Sequence, residues 1–197
     1  GMSYHGGVVG ATVAICIYCK KKGLSILKMG DLITTAIPLG YFFGRLGNFI
    51  NGELYGRVTS SSIGMVFPYA ERFSSEIGWV REFADKIGLE YAAGSYINLP
   101  RYPSQLFEAF GEGILLFAIM YFVVWRIKRK KNLPDGLLIS TYISGYGLIR
   151  FIIEYFRQPD AEFGYVLSLG AESSNIFLFE SVLNISKGQI YCLIMIA

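Results

Sequence analysis

The 197-residue chain is 53% hydrophobic and only 17% charged, with a mean hydropathy of +0.43 and a formal charge of +3. An ordinary soluble domain has roughly a quarter of its residues charged, so this is a membrane composition. The basic residues fall in short clusters between apolar runs, which argues against a nucleic-acid-binding face and makes charge a reporter of topology.

The first apolar run, 6–19, falls short of the roughly 20 residues a spanning helix needs and predicts a broken or partly buried helix. His5, the only histidine, sits at its start in "SYHGG". Lys20, Lys21, Lys22 and Lys28 follow. The run 31–50 is long enough to span, yet passes directly into "GRLGNFINGELYGR" at 44–57, with Arg45, Asn48, Glu53 and the glycines 44, 47, 52 and 56. From 57 to 101 charges of both signs mix with Ser and Gly, and "SEIGWVREFADKIG" has the pattern of a short amphipathic helix, so a small external α/β subdomain is expected here. A second spanning run, 106–125, ends in Arg126, Lys128, Arg129, Lys130 and Lys131, and a third covers 137–156. The connection 157–187 contains "SNIFLFESVLN", which predicts an interfacial helix. The last run, 188–197, stops after ten residues and no signal peptide opens the chain, so a piece of a longer protein is expected. No internal repeat is visible.

Both basic clusters belong in the cytoplasm by the positive-inside rule. Threading the chain through them places His5, the stretch 44–57, the approach 101–105 and the exit 150–160 together at the extracytoplasmic face. The fold class expected is an all-α polytopic membrane protein, a transmembrane helix bundle with a small extracytoplasmic α/β subdomain. Its divisions are 1–56, 57–101 and 102–197, the last including the external segment 157–187.

Arg150 and Glu154 stand four apart and share a helix face. Ionisable groups inside a span cost at least about 2.5–3.5 kcal/mol on insertion scales, so they face a cavity or a partner and suggest function. The competing reading, a structural ion pair or a snorkelling end, suits Arg157 and Asp160 at the interface better than the deeper Arg150. Arg45 and Asn48 lie three apart in a glycine-spaced stretch that permits close backbone approach, and Glu53 and Arg57 lie four apart. Guanidinium forks arriving from two helices suit a phosphate group. Glu108 and Glu112 are a like-charged pair, divided between neutralising an arginine and taking part in catalysis. His5 could accept a proton near neutral pH or be structural. The cysteines Cys16, Cys19 and Cys192 lie in apolar runs with no zinc spacing, and "SILK" has none of the partner motifs of a serine–lysine enzyme.

The stretches "GMSYHGG" at 1–7, "GRLGNFINGELYGR" at 44–57, "YPSQLFEA" at 102–109 and "LIRFIIEYFRQPD" at 148–160 resemble, in order and spacing, the bacterial prolipoprotein diacylglyceryl transferases. The resemblance implies transfer of a diacylglyceryl group from phosphatidylglycerol to the lipobox cysteine of a prolipoprotein, leaving a thioether and releasing glycerol phosphate at the outer face of the inner membrane. It implies His5, Arg45, Arg150 and Glu154 as catalytic residues, and Arg45, Asn48, Glu53, Gly56 and Arg150 as the phosphatidylglycerol site. His5 is the first choice of base, with Glu154 or Glu53 second. Neither metal nor cofactor is implied, and the partners expected are phosphatidylglycerol, the prolipoprotein signal peptide and membrane lipid, with no nucleic acid and a monomeric enzyme. The family commonly has histidine where this sequence has Tyr102, and it carries N-terminal membrane helices with a functional tyrosine that are expected to be missing here. The rival class is a transporter or channel with a path through Arg150, Glu154 and Glu112. A phosphatidyl-alcohol transferase would need clustered aspartates, whereas those here are scattered at 31, 85, 135 and 160.

Overall fold

A computed structural model describes residues 4–131, 133–159, 164–169 and 175–197, with the side chains of Tyr4 and His5 outside the description. Helix α1 (Tyr4–Lys22) leads through a tight turn to α2 (Ile26–Thr34) and α3 (Ile37–Asn51). A strand β1 (Phe73–Ser74), helix α4 (Gly78–Lys86) and strand β2 (Tyr96–Ile97) follow. The long helix α5 (Ser104–Lys131) and helix α6 (Leu137–Ile153) come next. The order ends with β3 (Tyr165–Ser168), β4 (Asn184–Ser186) and α7 (Lys187–Ile196). The stretch Ile26–Asn51, comprising α2 and α3, and α5 are long and apolar enough to cross a membrane. Over the described residues the fold is thus mostly helical with two small antiparallel sheets, β1–β2 and β3–β4.

Three expectations change. The third run expected to span, 137–156, is helical only over Leu137–Ile153, 17 residues, and falls short of the two candidate spans among the described residues. The run 6–19 lies inside one unbroken helix, α1, most of whose described side chains are exposed. The stretch expected as an interfacial helix forms turns and the start of β4 over its described residues. Side chains there compete with helical hydrogen bonding: Asn175 accepts from the Phe177 N–H at 3.0 Å and Ser181 from the Leu183 N–H at 3.1 Å. Phe177 and Leu178 are then free to pack against the core of Val58, Phe73, Val80, Ala84, Ile97 and Leu99.

Helix α5 is the axis of the molecule. Its sequence "AFGEGIL" (Ala109–Leu115) winds as a π-helix, as does Ile119–Trp125. Such turns often accompany functional sites because they re-aim side chains. Glycines let two neighbours approach this stretch from different sides. A methyl group at 113 would lie 2.7 Å from Cβ of Phe42 on α3, and one at 111 would lie 2.7 Å from Ile149 on α6. Below them Leu116 and Met120 of α5 bury against Leu138 of α6. At the far end Asp31 of α2 fastens the start of α6. Its carboxylate accepts from the N–H groups of Gly136, Leu138 and Ile139 at 3.0, 3.1 and 3.1 Å and pairs with Lys128. These are donors that a helix N-terminus cannot satisfy internally.

Candidate active site

The packing of α3 and α6 against α5 brings three arginines onto the same carboxylate. Glu108, completely buried one turn into α5, receives Nε of Arg45 from α3 at 2.6 Å on Oε2. On Oε1 it receives Nη1 of Arg150 and Nη1 of Arg157, each at 3.2 Å. Arg45 also donates to the hydroxyl of Tyr41, one turn earlier, at 2.6 Å, and that hydroxyl reaches Glu108 at 3.5 Å. Arg150 continues the network to Glu154, one turn on, at 3.1 Å and to Glu112 at 3.7 Å. Ser186, at the N-cap of α7, donates to the other oxygen of Glu154 at 3.1 Å. Buried charges persist only when paired in this way, since removing an ion from water costs several kcal/mol before compensation.

The pairing is electrically complete but geometrically loose. Arg150 Nη1, Glu154 Oε2 and both oxygens of Glu112 are buried without an aligned hydrogen bond among the described residues. A guanidinium held mainly by charge keeps donor directions open to another anion. The opening exists: a cavity of about 580 Å³ lies against Arg150, Glu154 and Arg157, walled elsewhere by Tyr146, Tyr191, Cys192 and Met195. That size falls within the range of small-molecule sites.

Of the residues singled out in the sequence, Arg45, Arg150 and Glu154 meet in this network. Asn48 and Glu53 lie at the end of α3, where Asn48 Nδ2 donates to Glu53 Oε1 at 2.9 Å. Glu53 lines a second cavity of about 530 Å³. Gly56 is buried in a backbone crossing: its N–H donates to the Tyr102 carbonyl at 2.8 Å, and a Cβ would collide with the Phe156 carbonyl. His5 stands at the start of α1, its side chain outside the described residues, as is Asp160. The spacing of Glu53 and Arg57 has no helical meaning, because α3 ends at Asn51. Arg57 turns instead to the carbonyls of Arg157 and Leu178, at 2.6 and 3.1 Å, and to the Tyr165 hydroxyl.

Arg157, read as a structural ion pair or a snorkelling end, forms the ion pair: it folds back to Glu108 at 3.2 Å and Glu154 at 3.8 Å because α6 stops at Ile153 and the chain turns tightly through 154–156. Its spacing of three from Glu154 and seven from Arg150 was the available signal. Tyr41, four before Arg45, was legible in the same way, whereas Ser186 arrives from a distant element that no local pattern announces.

The family model described as prolipoprotein diacylglyceryl transferase matches residues 1–197. The chain belongs to that family. The phosphatidylglycerol–prolipoprotein diacylglyceryl transferase of Treponema denticola is 52% identical over 200 residues, covering 100% of this chain and 58% of that protein. Its counterpart in Treponema pallidum is 48% identical with the same coverage, and that of Chlorobaculum tepidum is 43% identical over 197 residues and 53% of its length. This diacylglyceryl transferase family member thus spans a little over half the length of the curated relatives it matches. Its arginine network lies within the matched portion.

Proposed function

We propose that the chain's protein transfers the diacylglyceryl group of phosphatidylglycerol to the lipobox cysteine of a prolipoprotein. The observation that carries this reading is the convergence of Arg45 and Arg150, from separate helices, on Glu108, beside a cavity that Arg150 lines and whose wall includes Tyr191, Cys192 and Met195. In the proposed reaction the two guanidinium groups leave Glu108 in part for the lipid phosphate. The thiol gives up its proton, sulfur attacks the glycerol carbon, a C–S bond forms, and the C–O bond to phosphate breaks. The leaving phosphate takes the negative charge where the arginines already stand, and the proton is finally returned to its oxygen. Fixed donors aimed at developing charge supply the largest single contribution in many enzymes.

His5 is the proposed acceptor of the thiol proton. Glu154 is the second candidate, favoured by its place on the cavity wall and by its Oε2, which has no hydrogen bond among the described residues. In this proposal Asn48, Glu53 and Gly56 complete the lipid site, and the prolipoprotein signal peptide is the second substrate. The divisions 1–56, 57–101 and 102–197 serve as core, head and second half of the core.

The same proposal sets the protein in the bacterial inner membrane as a multi-pass monomer whose network faces the extracytoplasmic side. Twenty residues of α5 separate Glu108 from Lys128, about 30 Å of helix at 1.5 Å per residue, which equals the thickness of a bilayer's hydrocarbon layer. The lysine-rich ends lie at the opposite pole from the network, as the positive-inside rule requires. Incubating the full gene product with phosphatidylglycerol and a lipobox peptide is expected to yield a thioether-linked adduct by mass spectrometry. Failure to form that adduct would sink the proposal. His5→Gln and Glu154→Gln then separate the two bases: the true acceptor loses turnover while lipid binding is kept.

A further inference from the structure

The far end of α5 carries two kinds of cation. Lys128 is paired with Asp31 and, at 3.4 Å, with Asp135. Arg126, Arg129 and Lys130 are exposed and have no carboxylate within ion-pair distance among the described residues. Rings hold the two guanidinium groups instead: that of Arg129 lies over Trp125, 4.7 Å from its centroid, and that of Arg126 over Phe122 at 5.7 Å. A guanidinium over a ring face keeps its fork of N–H donors free in its own plane, the geometry that suits a phosphate.

The rings are themselves aligned. Phe117, Tyr121 and Trp125 stack in sequence, with centroids 5.7 and 5.2 Å apart and planes within 12° and 9°. Residues four apart fall nearly in line here because Ile119–Trp125 winds as a wider π-helix. Arg129 caps this column, which runs from the charged end into the apolar span beside the exposed Phe122 and Val123. Two cavities meet at its charged end and share Trp125 and Arg129. One, of about 540 Å³, is walled by Trp125, Arg126, Arg129 and Lys130. The other, of about 480 Å³, adds Leu32, Tyr121 and Leu138, and both of its carboxylates, Asp31 and Asp135, are held by Lys128.

A cluster that only sets topology needs charge and nothing more. This one adds rings that orient its arginines, a cation-walled cavity with no free carboxylate, and an apolar approach from the span. A phosphodiester anion bearing acyl chains fits all three. We propose that this end of α5 binds an anionic phospholipid of the cytoplasmic leaflet, its phosphate held by Arg126 and Arg129 and one acyl chain along the edge of Tyr121 and Phe117. About 30 Å of helix separates this site from the Glu108 network. The inference rests on the membrane setting proposed above and not on the transfer chemistry.

The test uses the full gene product in phosphatidylcholine vesicles containing phosphatidylserine, with bromine on the acyl chains of one lipid or the other. The fluorescence of Trp125 is read as wild type minus Trp125→Phe, and bromine quenches only near contact, so lipid at the Glu108 pole is silent. Phosphatidylserine is expected to be favoured over phosphatidylcholine at Trp125 by at least about tenfold, as for two or three interfacial cations. Combining Arg126→Gln with Arg129→Gln is expected to bring that ratio to within about threefold of unity. Arg129→Lys, which keeps the charge without the ring-held fork, is expected to lower it by about threefold or more, and Arg150→Ala to leave it unchanged. A wild-type ratio near unity, a ratio that survives either change at this pole, or one lost with Arg150→Ala overturns the proposal. Relief of the quenching by millimolar inorganic phosphate identifies a free anion as the occupant and overturns it too. Should the double variant fail to fold, Arg129→Lys decides. Transfer is no part of the readout, so failure here leaves the transfer reading standing.

Discussion

Arg57 and Arg101 are held differently from Arg45, Arg150 and Arg157. The first two are buried, tied to backbone carbonyls and neutral side chains. Arg57 holds the Arg157 and Leu178 carbonyls, and Arg101 holds the Glu71 carbonyl at 3.2 Å and the Gln158 amide oxygen. Arg101 lies against the rings of Tyr55 and Phe73, at 4.7 and 5.2 Å from their centroids. Burial pushes its guanidinium below the ordinary arginine value, with Tyr55 and Glu71 partly opposing that shift. The other three are partly exposed and held by carboxylates. Arg150 and Arg157 border a cavity. Carbonyls fixed in the backbone have no alternative partner, so an arginine bound to them fastens the fold. Carboxylates can yield an arginine to a competing anion, so an arginine bound to them can serve a substrate.

That distinction breaks if the two groups respond alike to substitution. Arg150→Ala is expected to lower kcat/KM for transfer by about 10²–10³, the cost of losing one preorganised donor. Arg150→Lys, which keeps the charge facing Glu108, Glu112 and Glu154, is expected to lower transfer while leaving the melting temperature nearly unchanged. A large fall in melting temperature for Arg150→Lys would move Arg150 into the fastening group. Arg101→Leu is expected to do the reverse: about 2–4 kcal/mol lost in stability as buried acceptors lose their donor, with transfer reduced far less than by Arg150→Ala. Thermal unfolding in detergent, read beside the transfer rate, separates the cases. The smallest effect is expected at the far pole, where Asp31→Ala removes the cap of α6 and leaves Lys128 with Asp135 alone, costing about 1–2 kcal/mol with transfer retained. Loss of transfer without loss of stability there would couple the poles.

Much of this was legible because membrane segments advertise themselves. The runs 31–50 and 106–125 lie within the two stretches that, among the described residues, are long and apolar enough to span, and Arg150 and Glu154 share a face by spacing alone. The apolar length of a span and the expense of a charge inside it are local properties, so they survive in one sequence. Glu108 as the common partner was not legible. That role depends on α3 and α6 flanking α5, an approach that Gly111 and Gly113 permit but do not specify. The misread segment at 174–184 failed for the opposite reason. Its apolar residues suggested an interfacial helix, but Phe177 and Leu178 pack against the core of Val58, Phe73 and Val80 and the turns around them follow side-chain hydrogen bonds.

In the proposed reaction Arg45 and Arg150 act on one phosphate together. A double-substitution cycle on kcat/KM tests it most directly, using Arg45→Ala, Arg150→Ala and the pair in the full gene product. Groups that act as a unit are strongly non-additive, so the double variant is expected to be little worse than the poorer single variant. Losses that multiply in full, or a single variant that keeps wild-type transfer, would contradict the account.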